Sequence, residues 1–323
     1  MLVDTLSRAV RPFARKLLAR AWRQTSITAP QRPFEWSIGI YTGESPVALM
    51  APQDLINPVL TREDVTDVPA GFVADPFMLR VHGRWYMFFE VKNQQSKRGE
   101  IALATSTDGR GWQYERVVLA EPFHLSYPYV FEWMNVYYMI PETHQARSIR
   151  LYKAVDFPYQ WSLVKIVRDG DEYVDSSIFF YQGKWWLLTG LGKAPNHADT
   201  LCLLYAEDIH GPWVEHPRNP VITGNAHIAR PSGRVVVHED TIIRYAQDCD
   251  PFYGRQVHAF AITDLTTTSY HEQPASTSPI VTGSGQGWNK TGMHHVDAQC
   301  LLEQRWIACV DGWSQTEVDD PAA

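Results

Sequence analysis

ADPFMLRVHGRWYMFFE, residues 74–90, contains the first copy of a pattern that recurs through the chain. The pattern is a polar residue near a turn, a strand, a tight turn, and a second strand that opens on aromatic residues. This order is typical of a β-hairpin. Four further copies are SYPYVFEWMNVYYMIPE (126–142), DSSIFFYQGKWWLLTG (175–190), ARPSGRVVVHEDTIIRYAQD (229–248) and HHVDAQCLLEQRWIACVDG (294–312). Five copies of one hairpin indicate a repeat architecture.

A second hairpin pattern lies between the copies of the first, each with a strand, an acidic turn and an aromatic residue. The acidic turn residues are separated by 48, 52 and 56 positions: Asp108, Asp156, Asp208 and Asp264. Two hairpins in each period make a four-stranded blade, and five blades in about 290 residues correspond to a small β-propeller. The sequence therefore predicts an all-β, five-bladed β-propeller.

The fifth period has no second hairpin before the chain ends, so its outer edge would be left unpaired. The segment FEWSIGIYTG (34–43) is interpreted as a strand that pairs with the fifth blade and closes the ring. We therefore assign residues 31–315 to the propeller and residues 316–323 to a disordered tail. A two-domain β-sandwich is the competing architecture.

The first 24 residues are basic, with six cations against Asp4: Arg8, Arg11, Arg15, Lys16, Arg20 and Arg23. Apolar residues between Leu6 and Ala21 recur at helical spacing, which predicts a short amphipathic helix within residues 1–30, although Pro12 interrupts it. Such a helix can lie on an anionic membrane surface, or it can pack on the protein or a partner chain.

The remainder of the chain is acidic, because the whole sequence has a net charge of −7 despite this basic leader. An acidic body repels phosphate backbones, so nucleic acid is not an expected partner. The chain starts without the uninterrupted apolar segment and cleavage site of a secretory signal. We therefore expect a cytoplasmic location, peripheral at the inner face of the membrane.

Propeller geometry predicts which residues meet. The first strand of each blade lines the central channel and the second strand is antiparallel, so the start of the first and the end of the second share one mouth. The two predicted rings are Asp75, Tyr127, Asp175, Arg230 and His295, and Glu90, Glu142, Gly190, Gln247 and Asp311. Adjacent strand residues point to opposite faces, so we expect at most one of His294 and His295 to face the channel.

The predicted mouth is rich in carboxylates, which cannot all ionise at their ordinary pKa values when crowded together. A carboxyl group with a raised pKa beside an ionised carboxylate is what glycosidic bond cleavage requires. The alternative is that these carboxylates form structural pairs with Arg230 or cap strand ends. Candidate substrate-binding residues around this mouth are Glu90, Lys92, His124, Tyr127, Trp133, Arg230, His295 and Asp311.

Five motifs carry a resemblance to a known family: ADPF (74–77), HLSYPYVFEW (124–133), IPET (140–143), DSSIF (175–179) and ARPSGR (229–234). Over about residues 35–313 the chain resembles the amino-terminal propeller domain of glucosamine inositolphosphorylceramide transferases and its bacterial stand-alone relatives. More distantly, it is similar to the five-bladed glycosidases of families 43, 32 and 68. This resemblance implies a carbohydrate-active protein.

The resemblance also implies roles for single residues. Asp75 matches the first-blade carboxylate of those glycosidases, which serves as base or nucleophile. Tyr127 stands where they have a second Asp, so we assign the general acid to Glu142 first and to Asp175 second. Family 43 members often hold a central metal near a fifth-blade histidine, which makes His295 a candidate ligand for a divalent metal such as calcium. No other cofactor is expected.

We thus predict an enzyme that cleaves or transfers a glycosyl unit in surface glycan or glycolipid metabolism, with Asp75, Glu142 and Asp175 as catalytic residues. The plant transferases carry their transfer activity in a separate domain. The alternative is therefore a non-catalytic propeller that binds a glycan or glycolipid for a partner glycosyltransferase. A protein-interaction propeller ranks last, because it gives no reason for a carboxylate-rich mouth.

Overall fold

A computed structural model describes residues 34–192, 199–238, 240–302 and 305–315. The predicted leader helix, its membrane contact and the predicted tail lie outside these residues. Helical structure within the described ranges consists of three single-turn 3₁₀ segments, Arg62–Asp64, His144–Ala146 and Gly287–Asn289. None of these is long or apolar enough to cross a lipid bilayer.

The described strands form five antiparallel sheets arranged as the blades of a propeller. Blade 1 contains β3 (Ala70–Val81), β4 (Arg84–Asn93), β5 (Arg98–Ser106) and β6 (Gln113–Leu119), and blade 2 contains β7 (Ser126–Trp133), β8 (Val136–Glu142), β9 (Ser148–Asp156) and β10 (Gln160–Asp169). Blade 3 contains β11 (Glu172–Tyr181), β12 (Lys184–Gly192), β13 (Leu201–Ala206) and β14 (Val214–Glu215). Blade 4 contains β15 (Val236–His238), β16 (Thr241–Asp248), β17 (Gln256–Leu265), β18 (Tyr270–Pro274) and β19 (Val281–Thr282). Blade 5 contains β20 (Val296–Leu302), β21 (Arg305–Gln315), β1 (Phe34–Ser45) and β2 (Ala48–Met50). The predicted all-β, five-bladed fold is confirmed.

The ring closes through strand β1, which takes the place of the second hairpin that the fifth period lacks. This is the pairing predicted for residues 34–43. Strand β1 pairs antiparallel with β21 from Phe34 opposite Gln315 to Gly43 opposite Trp306. This sheet has the order β2-β1-β21-β20, so the two ends of the described chain meet in one blade. Closure removes the unpaired strand edge that an open ring would expose.

A backbone irregularity recurs within the inner strands of blades 1, 2 and 3. Asp75, Tyr127 and Asp175 have φ angles of 55°, 46° and 49°. Each lies where the register between the first two strands of its blade shifts. A left-handed residue in such a bulge turns its side chain away from the regular alternation of the strand. The bulge therefore gives three blades one equivalent residue with a special orientation.

Aromatic residues fill the space between neighbouring blades. Phe77, Phe88 and Tyr129 belong to a buried cluster that joins blades 1, 2 and 3. Trp133 packs at its edge, with ring centroids 4.8 Å from those of Phe180 and Trp185. It ends β7 at the opposite end from Ser126, so the structure places Trp133 away from the predicted mouth and in a packing role.

Candidate functional site

Around the mouth, neighbouring blades are connected by hydrogen bonds from a backbone amide of one blade to a carboxylate of the preceding blade. The amide of Asp75 donates to Asp311 Oδ2 at 2.9 Å, and the amide of Tyr127 donates to Asp75 Oδ2 at 3.1 Å. The amide of Asp175 donates to Glu142 Oε2 at 3.2 Å. All three donors are the left-handed bulge residues, so the bulge both aims their side chains and holds the neighbouring carboxylate.

Arg230 extends these contacts to the fourth blade. Its Nε donates to Asp175 Oδ2 at 2.6 Å, and its terminal nitrogen lies 3.5 Å from Glu142 Oε2. Gln247 Nε2 also donates to Asp175 Oδ2, at 2.8 Å. The structure thus brings predicted residues of all five blades to one end of the channel. These ion pairs are also the structural role that the sequence left open for the carboxylates.

Asp75 lies beside a buried histidine that is itself held by Asp311. His294 Nδ1 is 2.7 Å from Asp311 Oδ1, and its Nε2 is 3.5 Å from Asp75 Oδ1. Burial raises the pKa of Asp75 to about 6, although the charge of His294 opposes that rise. Burial alone would lower the pKa of His294, but Asp311 outweighs it and raises that pKa. Asp75 therefore titrates close to neutral pH.

Glu90 is a buried carboxyl group that lacks a cation at bonding distance. The residue is 6% exposed, and its Oε1 has no hydrogen-bond partner among the described residues. His124 Nε2 is 3.7 Å away, and His124 Nδ1 accepts the Gly99 amide at 2.9 Å. Burial raises the pKa of Glu90 well above its usual range and lowers that of His124 to about 4. The surroundings of the pair therefore favour a protonated Glu90 beside a neutral His124.

Glu142 has the opposite electrostatic environment. Its Oε1 is 2.7 Å from His144 Nδ1, and its Oε2 faces the Asp175 amide and Arg230. Burial alone would raise the pKa of Glu142, but the His144 hydrogen bond and the charge of Arg230 outweigh it and lower that pKa. The surroundings of Glu142 therefore favour its ionised form.

His295 lies deeper in the channel, where it is 1% exposed. Its ring packs at 4.6 Å from Phe77 and 5.2 Å from Tyr127. Neither ring nitrogen has a hydrogen-bond partner among the described residues, and burial lowers the pKa of His295 to about 3. Calcium prefers six to eight oxygen ligands, whereas one carboxylate, Asp75, lies 3.9 Å from His295 Nδ1. The divalent metal expected at His295 stays a prediction.

Among the residues that the structure describes, two other groups of histidines and carboxylates have possible ligand atoms within 4.8 Å of one another: His124, Glu142 and His144, and Asp75, His294 and Asp311. Their histidines already have hydrogen-bond partners, because His144 and His294 face carboxylates and His124 accepts a backbone amide. These contacts, all made through Nδ1, connect each group into a hydrogen-bond network.

The remaining predicted residues have structural contacts. Tyr127 is buried, and its hydroxyl donates to the Gly233 carbonyl at 3.0 Å and lies 2.8 Å from Ser177 Oγ. It therefore ties the second blade to the third and fourth inside the channel. Lys92 is half-buried in blade 1 and donates to the Lys97 carbonyl at 3.0 Å. Asp311 is fully buried beneath Asp75.

Sequence reasoning missed His294 because it applied strand alternation to both histidines. His294 and His295 precede β20, which begins at Val296. Alternation does not govern a loop, so both rings approach Asp75. His144 was also missed, since it lies in the 3₁₀ turn after β8 and outside the repeated pattern. Its position two residues after Glu142 was the available signal.

These features define a class: a five-bladed β-propeller with buried carboxyl groups from neighbouring blades around one mouth. The chain belongs to the family described as glucosamine inositolphosphorylceramide transferase 1, N-terminal, which matches residues 30–313. The transferase of that name from Oryza sativa subsp. japonica is 36% identical over 304 residues, covering 88% of this chain. The chain spans 40% of the length of that relative.

Solved structures share the fold. A β-1,2-mannobiose phosphorylase from Listeria innocua matches with a TM-score of 0.57 and 13% identity, over 84% of this chain and 96% of that one. An exo-β-1,3-galactanase from Clostridium thermocellum matches with a TM-score of 0.55 and 14% identity, over 76% and 60%. At these identities the likeness concerns the fold alone. The family resemblance seen in the sequence is confirmed.

Proposed function

We propose that this chain binds a saccharide or the sugar headgroup of a glycolipid in the carboxylate mouth and cleaves or transfers a glycosyl unit. One observation carries the proposal: the surroundings of the buried Glu90 favour its protonated form, while Asp75 on the same mouth, with a pKa of about 6, is ionised at neutral pH. Groups separated in this way can act as acid and base at one pH. The names of the plant relatives and of the two structural neighbours support a carbohydrate substrate.

The most suitable base or nucleophile is Asp75, as the sequence suggested. It is in part reachable from the mouth, since its side chain is 10% exposed, and its pKa of about 6 leaves it ionised at neutral pH. Asp75 either removes the proton of the attacking hydroxyl group or attacks the anomeric carbon itself. Retained or inverted configuration in the product distinguishes these two routes.

For the acid we propose Glu90 in place of the earlier candidates Glu142 and Asp175. Both Glu142 oxygens face donors, which disfavours protonation. Burial raises the pKa of Asp175 as it does that of Glu90, but Asp175 Oδ2 already accepts hydrogen bonds from Arg230 and Gln247, which favours Glu90 as the group that reaches a substrate. Glu90 is protonated and has an oxygen without a partner among the described residues. As the glycosidic C–O bond breaks, Glu90 gives its proton to the departing oxygen.

The test combines ligand binding with turnover. A panel of mono- and disaccharides, nucleotide sugars and inositol-containing headgroups is screened by thermal shift, because a ligand that binds the folded state raises Tm. Product formation is then measured for wild type, Asp75→Asn, Glu90→Gln and the exposed control Asp54→Asn. We expect the first two variants to lose about 10²–10⁴-fold in turnover. Full activity in Asp75→Asn would overturn the assignment.

A second candidate is a non-catalytic glycan-binding propeller. Two observations favour it: the bulge residue of blade 2 is Tyr127, which has no carboxylate where blades 1 and 3 have Asp75 and Asp175, and the chain spans 40% of the plant relative. This alternative expects saccharide binding that survives Asp75→Asn, without turnover in wild type. The same thermal-shift and product measurements therefore separate the two candidates.

We also propose that residues 1–24 attach the chain to an anionic membrane at its cytoplasmic face. Six basic residues against one acidic residue support this, since each basic side chain near such a surface contributes about 1 kcal/mol. Flotation with phosphatidylserine vesicles should carry the full chain and leave a chain lacking residues 1–24 behind. Equal flotation of both would contradict the proposal, and uncharged vesicles provide the control.

A further inference from the structure

The loop between β16 and β17 carries two exposed aromatic side chains, of which Tyr253 lies beside Arg230 and His294 of the mouth. Phe252 and Tyr253 are 40% and 44% exposed. They lie outside the repeated hairpin pattern, and no core cluster of the described residues includes them. Large exposed aromatic side chains next to a concave polar site commonly belong to a binding surface.

This loop is fixed on two buried tryptophans. Trp313 Nε1 donates to the Gly254 carbonyl at 2.9 Å. Gly254 has a φ angle of 72°, and a Cβ there would lie 2.6 Å from the Trp36 ring. Only glycine allows the backbone this close, so the loop is seated in one position. Phe252 and Tyr253 are consequently presented on a rigid support, which reduces the entropy lost on binding.

Tyr253 adjoins the groups that hold the mouth together. Its ring centroid is 5.1 Å from the Arg230 guanidinium carbon and 5.2 Å from the His294 ring centroid. Arg230 contacts Asp175, and His294 contacts Asp75. Burial of the Tyr253 hydroxyl raises its pKa well above its usual range, so the group keeps its proton. The residue thus places an exposed aromatic ring beside Arg230 and His294 of the mouth.

We propose that Tyr253, with Phe252 beside it, is a stacking platform for a second sugar ring, adjacent to the unit held by the carboxylates. The inference rests on the proposed function and deepens it, because it makes the substrate at least a disaccharide. The C–H face of a pyranose packs on an aromatic ring, while nearby polar groups fix its orientation. The ring of Tyr253, within about 5 Å of both Arg230 and His294, meets both requirements.

Isothermal titration calorimetry tests the platform with three disaccharides: β-1,3-galactobiose, β-1,2-mannobiose and chitobiose. Each is compared with the methyl glycoside of its own monosaccharide. Wild type should bind at least one disaccharide more tightly than the matching methyl glycoside. Tyr253→Ala should weaken the binding of that disaccharide about tenfold, which is about 1.4 kcal/mol of binding free energy. The affinity for the methyl glycoside should not change. Tyr253→Phe keeps the ring and should retain most of the difference in affinity between the disaccharide and its methyl glycoside.

Tyr159→Ala is the matched control, because Tyr159 is 43% exposed and lies in the β9–β10 turn, at the end of β9 away from Ser148 and the mouth. It should bind like wild type. Equal binding of disaccharide and methyl glycoside by wild type, or an unchanged preference in Tyr253→Ala, would overturn the platform and leave the proposed function standing. If wild type binds none of these sugars, the platform is overturned; the proposed function is overturned as well only if the thermal-shift panel of saccharides, nucleotide sugars and inositol-containing headgroups also yields no ligand.

Discussion

Asp75→Asn should make the protein more stable at alkaline pH while it removes turnover. The pKa of the folded-state carboxyl is about 6, raised from the ordinary 3.8 mainly by burial. That rise corresponds to roughly 3 kcal/mol of unfolding free energy, at about 1.4 kcal/mol for each tenfold change in proton affinity. Because the folded pKa is the higher one, the folded state is favoured below pH 3.8 and loses this contribution as pH rises through 6. Asparagine cannot ionise and avoids the loss.

Urea denaturation at pH 4 and pH 8 measures this effect. The difference in unfolding free energy between Asp75→Asn and wild type should grow by up to about 3 kcal/mol from the lower to the higher pH. The asparagine oxygen can still accept the amide of Tyr127, so the main backbone contact is kept. Asp54→Asn should show no comparable change, since that carboxylate is largely exposed. A pH-independent difference, or a variant less stable than wild type at pH 8, would refute the reasoning.

Three further outcomes follow from the same site. Turnover should rise as pH increases through about 6, since the proposed base Asp75 must lose its proton, and a pH–rate profile of kcat/KM measures this. Gly99→Ala should lower Tm by several degrees, because a Cβ there would lie 2.3 Å from the Leu125 carbonyl oxygen; an unchanged melting curve would contradict the packing. Arg230→Met should lower the free energy of unfolding, measured by urea denaturation, by about 3–5 kcal/mol, because it leaves a buried carboxylate without its cation. Arg62→Met, at an exposed ion pair, should cost less than about 1 kcal/mol, and equal losses in both variants would count against the buried network.

The fold could be predicted because its information is periodic. The hairpins that begin near Asp75, Tyr127 and Asp175 share one spacing, and strand polarity then places those residues at one end of the channel. The same rule excludes Trp133, since it ends the first strand of its blade. Periodicity does not describe loops, however. His294 and Tyr253 lie in connections between strands, and their positions depend on tertiary contacts with Asp311 and Trp36.

The pKa differences in the mouth arise from an unequal distribution of donors within a nearly symmetric frame. Glu90 and Glu142 were predicted at equivalent positions, at the ends of the second strands of blades 1 and 2. Glu142 receives His144, Arg230 and a bulge amide, and its pKa falls. Glu90 has a neutral histidine at 3.7 Å, and its pKa rises. Repeated blades bring carboxyl groups together, and the contacts that differ between blades decide which of them keeps its proton.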